Sequence, residues 1–251
     1  MPAVARTSTP WPVVAYIALQ LAQRGHRAMA VTMLVGFINY FRPGTNMKIR
    51  RRDLIPPTAG VSHLWSFLTH PTEMGQPSKT GSFDDSVIWD TDFLAWVTRA
   101  FEILKVGDPN LPLWPFSYSV LTSQVAKITK ETGLHFVPYQ LRHAGPAHDR
   151  LHNLRPLLEV QKRGGWRSHR SLVRYGNTAR VSAKFQKLPD NMKTECLTVP
   201  DQLEGAILGP GAKARPSSMI CSAVLAVSPG DCAALGNAFK STRLVRVYSM
   251  I

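Results

Sequence analysis

The side chains of this chain that could carry out chemistry are concentrated between positions 139 and 175. The segment Tyr139-Gln140-Leu141-Arg142-His143-Ala144 is followed by Gly164-Gly165-Trp166 and then by Arg174-Tyr175. An arginine guanidinium binds phosphate oxygens in a bidentate fashion and stays charged. A tyrosine hydroxyl is a nucleophile that can form a covalent intermediate. Cleavage of a phosphodiester without a metal requires a nucleophile and groups that neutralise the charge on the phosphate oxygens, and these two kinds of side chain can supply both.

The order and spacing of these segments resemble the catalytic domain of the tyrosine recombinases, the phage-integrase family. That family carries an H-x-L-R-H segment, a Gly-His or Gly-Trp dipeptide, and a nucleophilic tyrosine nine residues later. Here Tyr175 follows Trp166 by 175 − 166 = 9 residues. Phe41-Arg42-Pro43-Gly44-Thr45 matches the position of the family's first arginine, at the end of an apolar helix. Ser78-Lys79-Thr80-Gly81 matches the position of its lysine, on a β-hairpin.

The resemblance implies that the chain cuts and rejoins DNA strands through a 3′-phosphotyrosine on Tyr175. Arg42 and Arg142 would neutralise the nonbridging phosphate oxygens. Lys79 would protonate the leaving 5′ oxygen. Trp166 would donate its indole N–H to the phosphate or pack behind the nucleophile. The resemblance also implies DNA integration or recombination, no cofactor, no metal, and self-association on DNA as a dimer or tetramer.

Four features of the sequence depart from the family pattern or leave a role open. Tyr139 occupies the place of the first histidine, and Thr45 the place of a usual acidic residue. His143 is expected to orient the site or to share in proton transfer. Roughly 10–25 residues precede the matching region, so the family's N-terminal core-binding domain is expected to be missing or supplied by another chain. Two alternatives therefore stay open: a weakened or inactive DNA-binding relic of a mobile element, and a type IB topoisomerase-like nicking-closing protein.

The charge of the chain points to a polyanionic partner. The 251 residues carry 30 Lys and Arg against 16 Asp and Glu, which gives a net charge of +14. Residues 1–52 hold eight basic and no acidic residues, and residues 151–200 hold ten basic and three acidic residues. If the fold brings these two blocks together, they form one cationic groove for DNA; otherwise they are two solvated surfaces. The candidate DNA-binding residues are Arg50, Arg51, Arg52, Lys162, Arg163, Arg167, Arg170 and Arg174.

Other classes of protein find little support in the sequence. It contains no P-loop, no G-x-G-x-x-G and no G-x-S-x-G motif, which argues against nucleotide binding and hydrolase chemistry. His148 and His152 are four residues apart but lack partners with zinc-ligand spacing. The three cysteines form no disulfide framework, and no apolar run reaches the ~18 residues that span a bilayer. We therefore expect an intracellular protein without a membrane partner, in the nucleus of a eukaryote or the cytoplasm of a prokaryote.

Hydrophobic periodicity predicts a mainly α-helical fold with a small antiparallel β-sheet, an α+β protein. The catalytic-like domain is expected to cover residues 1–182, with the sheet at about 62–90. Frequent Gly and Pro predict an irregular, weakly ordered tail over 183–251. Strands are predicted at 65–68 and 86–89. Helices are predicted at 12–23, 28–40, 90–105, 117–132, 139–152, 156–162 and 168–175. Asp90 or Thr91 is expected to cap the helix at 90–105.

Overall fold

The computed structural model describes residues 8–69, 86–166, 168, 172, 175 and 178–209. The described residues belong to one compact unit. Its helices are α1 Trp11–Gln23, α2 Arg27–Ile38, α3 Pro43–Lys48, α4 Val97–Lys105, α5 Tyr118–Thr132, α6 Leu141–Leu151, α7 Leu157–Gly164, α8 Thr178–Gln186, α9 Asp190–Thr198 and α10 Pro200–Leu208. Its strands are β1 Leu54–Ile55, β2 Ser66–Leu68 and β3 Ser86–Ile88, and 3₁₀ turns cover Arg51–Asp53 and Pro138–Gln140.

Helices α1 and α2 form the centre of the core. Every residue of α2 from Met29 to Ile38 is buried, because the helix is apolar on all sides and is covered by α1, α3, α6 and α10. The helices predicted at 12–23 and 28–40 are thus confirmed, although α2 ends at Ile38. The chain then leaves the helix through Tyr40, whose φ of 54° is left-handed.

The three strands form one antiparallel sheet in the order β1-β2-β3. Leu54 pairs with Phe67, which in turn pairs with Val87 on the next strand. Phe67 is fully buried and packs edge-on against Phe41 and Phe101, so the sheet is attached to the helical core by aromatic contacts. The mainly α-helical fold with a small antiparallel sheet is therefore confirmed. The predicted hairpin segment 78–81 lies outside the described residues.

The helix predicted at 90–105 begins later than the sequence suggests. Residues 92–96 form turns, and α4 starts only at Val97. Asp90, expected to cap this helix, instead accepts hydrogen bonds from Arg155 and Arg163. Because its carboxylate is used by these two guanidiniums, it is not available to the amides of a helix starting there.

The prediction of an irregular tail is wrong for residues 183–209. Helix α8 runs through the predicted boundary, and α9 and α10 follow it. Cys196, Val199 and Leu203 are at most 1% exposed, because α9 packs on α1 and α10 packs on α1, α2 and α4. These helices are short and their apolar pattern is weak, so the sequence alone did not indicate them. The helices on which they pack come close only in the folded chain. The rest of the predicted tail, residues 210–251, lies outside the described residues.

Candidate phosphate-binding site at the start of α6

Arg142 is buried at the first turn of α6, where two backbone carbonyls hold its guanidinium. Nη1 donates to the carbonyl oxygen of Tyr40 at 2.7 Å, and Nη2 donates to that of Gly164 at 2.5 Å. The guanidinium carbon also lies 4.6 Å from the centre of the Trp166 ring. Three contacts from two separate segments, the turn at Tyr40 and the segment Gly164-Gly165-Trp166, therefore define the position and the plane of this cation.

Two glycines allow the backbone to come this close to Arg142. A Cβ at Gly145 would lie 1.9 Å from the carbonyl oxygen of Phe37, so α6 can approach the end of α2 only at a glycine. A Cβ at Gly164 would lie 1.8 Å from the Trp166 ring, so the indole can pack this closely against the end of α7 only at a glycine. The segment Gly164-Gly165-Trp166 thus allows close packing, in addition to its characteristic spacing from Tyr175.

Tyr175 lies beside the same guanidinium. Its phenolic oxygen is 2.7 Å from Nδ1 of His143, and the two rings are stacked with centroids 5.9 Å apart. The Trp166 ring lies 5.2 Å from the Tyr175 ring on another side. Tyr139 completes the cluster, with its ring 5.6 Å from that of His143. The Tyr175 side chain is enclosed by this cluster and is only 2% exposed.

The electrostatics of the cluster favour an anion. Burial first, and then the positive charge of Arg42, lower the pKa of Arg142 to about 10, while the phenols of Tyr175 and Tyr139 oppose the shift. Arg142 therefore stays charged near neutral pH, within electrostatic range of a second guanidinium. Arg42 itself is half-buried at the N-terminal end of α3. Two neighbouring cations in a partly desolvated site are stabilised by a shared oxyanion such as a phosphate.

The structure brings together five of the sequence-predicted residues: Tyr139, Arg142, His143, Trp166 and Tyr175. A sixth, Arg42, is near enough for its charge to lower the pKa of Arg142. The seventh, Lys79, lies outside the described residues. Sequence reasoning named all six, and their convergence depends on the packing of α2, α6 and the end of α7. The residue that it missed is Tyr40, which had no motif to mark it.

The candidate DNA-binding residues differ in how exposed their side chains are. Arg50 and Lys162 are exposed, whereas Arg51 and Arg52 are half-buried. Arg52 donates to Oδ1 of Asn110 at 2.8 Å. The remaining candidates Arg167, Arg170 and Arg174 lie outside the described residues.

Arg163 does not present its guanidinium to solvent. Its side chain is 5% exposed and pairs with Asp90. It also donates to Oδ1 of Asn39 at 3.1 Å and to the carbonyl oxygen of Ile88 at 3.0 Å. The guanidinium thus ties α7 to the end of α2 and to β3, a structural use that its place in a basic run did not indicate.

Arg163 belongs to a buried charge network beneath the site. Asp90 also pairs with Arg155, and Arg155 pairs with Asp149 on α6. Burial alone would raise the pKa of Asp90, but the charges of Arg163 and Arg155 together hold it below its usual value. Asp149 in turn accepts the hydroxyl of Tyr40. The network therefore connects Asp90, α7 and α6 to the turn at Tyr40. The carbonyl oxygen of that turn accepts a hydrogen bond from Arg142.

The segment before α1 also reaches the site. Ser8 Oγ donates to the carbonyl oxygen of His143 at 3.1 Å, and Thr9 Oγ1 donates to Oε1 of Gln140 at 3.3 Å. Lys184 on α8 donates to the same Thr9 oxygen at 3.1 Å, and burial lowers the pKa of this lysine. Helix α8 is thereby bridged to the beginning of α6.

His148 is a packed aromatic residue of the core. Its ring contacts those of Trp11, Phe37 and Phe93, and lies 4.4 Å from that of His152. Burial first, and then the neighbouring charges, lower its pKa to about 4. Within the described residues, no three His, Cys, Asp or Glu side chains are grouped so that they could hold a metal ion.

Comparisons with protein-family models, with curated proteins and with solved structures find no match. None of the helices in the described part of the chain is long and apolar enough to span a bilayer.

Proposed function

We propose that this chain binds DNA and cuts and rejoins its strands through a covalent 3′-phosphotyrosine on Tyr175. The observation that carries the proposal is the placement of the Tyr175 hydroxyl against His143, in a cluster that also holds two arginines, Arg42 and Arg142. A nucleophile, a proton acceptor and two phosphate-binding cations are the groups that metal-free phosphoryl transfer needs. The family resemblance of the sequence supports the same reading.

In the proposed reaction, Tyr175 gives its proton to Nδ1 of His143 and its oxygen attacks the phosphorus of one DNA phosphodiester. A bond from phosphorus to Tyr175 forms as the bond from phosphorus to the 5′ oxygen breaks, and the strand end remains attached as a 3′-phosphotyrosine. Arg42 and Arg142 stabilise the charge that develops on the nonbridging oxygens. Lys79, assigned by the resemblance, gives a proton to the leaving 5′ oxygen. Attack by a 5′ hydroxyl reverses these steps and rejoins a strand.

The same proposal extends to partners and place of action. Strand exchange needs more than one active site, so we propose that the chain acts as a dimer or tetramer on DNA, in a compartment that contains DNA. Basic residues that are exposed, such as Arg50 and Lys162, support contacts with the phosphate backbone.

A covalent-trapping experiment with a nicked suicide DNA substrate tests the proposal. The nick lets the short 5′-hydroxyl fragment diffuse away, so that the protein–DNA adduct accumulates and can be counted on a denaturing gel. We expect an adduct with the wild-type chain and none with Tyr175→Phe, which should still bind the DNA. Tyr118→Phe removes a hydroxyl from a half-buried tyrosine of α5 and is the matched control. Equal trapping by Tyr175→Phe would contradict the assignment of the nucleophile.

A second candidate is a DNA-binding protein that has lost this activity. It is favoured by Tyr139, which stands against His143 where the resembling family has a histidine. A phenol can donate a hydrogen bond, but it offers neither the positive charge nor the basic nitrogen of an imidazole. DNA binding without any adduct would support this candidate. An adduct accompanied by relaxation of supercoiled DNA, without strand exchange, would instead indicate a nicking-closing enzyme.

A further inference from the structure

The turn that ends α2 has an unfavourable backbone conformation at a buried residue. Tyr40 has a φ of 54° and is fully buried. Side chains with a β-carbon rarely adopt this left-handed region, and a bulky residue there persists only when the surrounding structure holds it. Glycine would adopt it without strain, so the side chain of Tyr40 must provide something that glycine cannot.

The phenol of Tyr40 is anchored in the buried charge network. Its hydroxyl donates to Oδ2 of Asp149, a carboxylate that is 1% exposed and also pairs with Arg155. Burial first, and then the charge of Asp149, raise the pKa of Tyr40, so the phenol stays protonated and remains a donor. The ring is held between α6 and Trp166, whose centroid is 6.2 Å away.

The backbone of the same residue faces the candidate site. The carbonyl oxygen of Tyr40 accepts the 2.7 Å hydrogen bond from Nη1 of Arg142. The direction of a carbonyl follows from the backbone dihedral angles, so a relaxed, right-handed conformation at Tyr40 would turn this oxygen away. The second acceptor, the carbonyl of Gly164, would then hold only the other terminal nitrogen.

We infer that Tyr40 is a positioning residue for Arg142: its phenol, anchored on Asp149, keeps the left-handed turn whose carbonyl orients the guanidinium. The consequence for catalysis rests on the proposed function, because Arg142 must bind the reacting phosphate for its orientation to affect a rate. The orientation itself does not depend on that function. The two are therefore tested by different measurements.

The orientation is tested by NMR of the arginine side chains in the full-length chain. Two carbonyl acceptors hinder rotation of the Arg142 guanidinium, so its Nη–H protons should give separate, slowly exchanging signals, which Arg142→Lys identifies by their loss. Tyr40→Phe removes only the hydroxyl, and we expect those signals to broaden or merge. Tyr16→Phe removes a hydroxyl from another buried tyrosine, on α1, and should leave them unchanged. Unchanged Arg142 signals in Tyr40→Phe, even with a lower melting temperature, would overturn the inference.

The catalytic consequence is tested by single-turnover trapping on the suicide substrate. Misplacement of a positioned group can slow a reaction by up to ~10²-fold. We expect Tyr40→Phe to trap DNA about 10- to 100-fold more slowly than Tyr16→Phe, with DNA affinity unchanged. Equal loss of affinity and trapping would overturn the positioning role. If the wild-type chain traps nothing, the proposed function fails, and the NMR result still decides the role of Tyr40.

If Tyr40→Phe does not fold, Asp149→Asn tests the same anchor. It keeps an oxygen that accepts the Tyr40 hydroxyl but removes the charge, so the anchor is weakened rather than lost. The Arg142 signals should broaden or merge relative to those of the wild type. Signals identical to those of the wild type would count against the anchor.

Discussion

Nδ1 of His143 and the phenolic oxygen of Tyr175 are 2.7 Å apart, although 32 positions separate the two residues in the sequence. The contact joins the first turn of α6 to the segment that follows α7. An imidazole is the side chain best suited to accept a proton near neutral pH. The pair therefore places the hydroxyl that we propose as the nucleophile against an imidazole that can take its proton, and the Tyr139 ring lies 5.6 Å from the same imidazole.

His143→Gln should slow covalent trapping by ~10²–10⁴-fold, because glutamine can hold a hydrogen bond but cannot take the proton from Tyr175. DNA affinity should stay the same. The measurement is single-turnover trapping on the suicide substrate, with the exposed His135→Gln as the control. Trapping at the wild-type rate would show that His143 is not the proton acceptor.

Binding to DNA should depend steeply on salt. If ~6 phosphates are contacted, log K should fall with log salt with a slope near −5. Lys162→Ala and Arg50→Ala remove exposed cations, and each should make the slope shallower by about one. A titration monitored by fluorescence anisotropy measures these slopes. A wild-type slope of about −1 would mean that the basic blocks are solvated surfaces that do not contact DNA.

Gly145→Ala should destabilise the fold by ~3 kcal/mol or more, because the added methyl group would overlap the carbonyl oxygen of Phe37. The clash would push α6 away from the end of α2 and separate Arg142 from its acceptor. Gly205→Ala is the matched control, since nothing lies within 4 Å of a Cβ there. That change lies inside helix α10 and should be stabilising by ~0.5–1 kcal/mol. Denaturant unfolding of the two variants gives the comparison, and equal stabilities would contradict the close approach.

Ending the chain after Leu188 should abolish cooperative unfolding. This truncation removes α9 and α10, whose buried residues Cys196, Leu203 and Ile207 cover the central helices. A chain ending at Gly209 keeps both helices and should unfold cooperatively. Calorimetry of the two truncated chains measures the difference. A cooperative transition in the shorter chain would show that the core ends before α9.

Acid should lower the stability of the fold by protonating Asp90. Its pKa is below the usual value, so its contribution to stability is present above the unfolded value of ~3.9 and is lost as the pH falls through the lower folded value. Asp90→Asn should lower the melting temperature at neutral pH and flatten the pH dependence below about pH 4. Melting curves between about pH 2.5 and 7 test this, with the exposed Asp92→Asn as the control. If the melting temperature of Asp90→Asn falls with acid as steeply as that of the wild type, Asp90 is not the cause of the acid sensitivity.

Local signals in the sequence predicted much of the helical framework. For α5, Ser117 Oγ accepts from the backbone N–H of Val120, and Gly133 ends the helix with a φ of 70°. Both interactions span only a few residues, so residue type and periodicity suffice to indicate them. Helix α4 shows the opposite case. Its predicted capping residue, Asp90, pairs with two arginines 65 and 73 positions away, which no local pattern reveals.

The sequence by itself determined which side chains are available for phosphate chemistry and how they are spaced, because those properties belong to the chain. Only the tertiary structure decided which of them face one another. Lys162 and Arg163 are neighbours on α7 with similar charge, yet Lys162 is exposed and Arg163 is buried against Asp90. Likewise nothing local marks Tyr40, whose carbonyl meets Arg142 across 102 positions. A buried charge or a strained turn is stable only with its distant partner in place, so its role is decided when the chain packs.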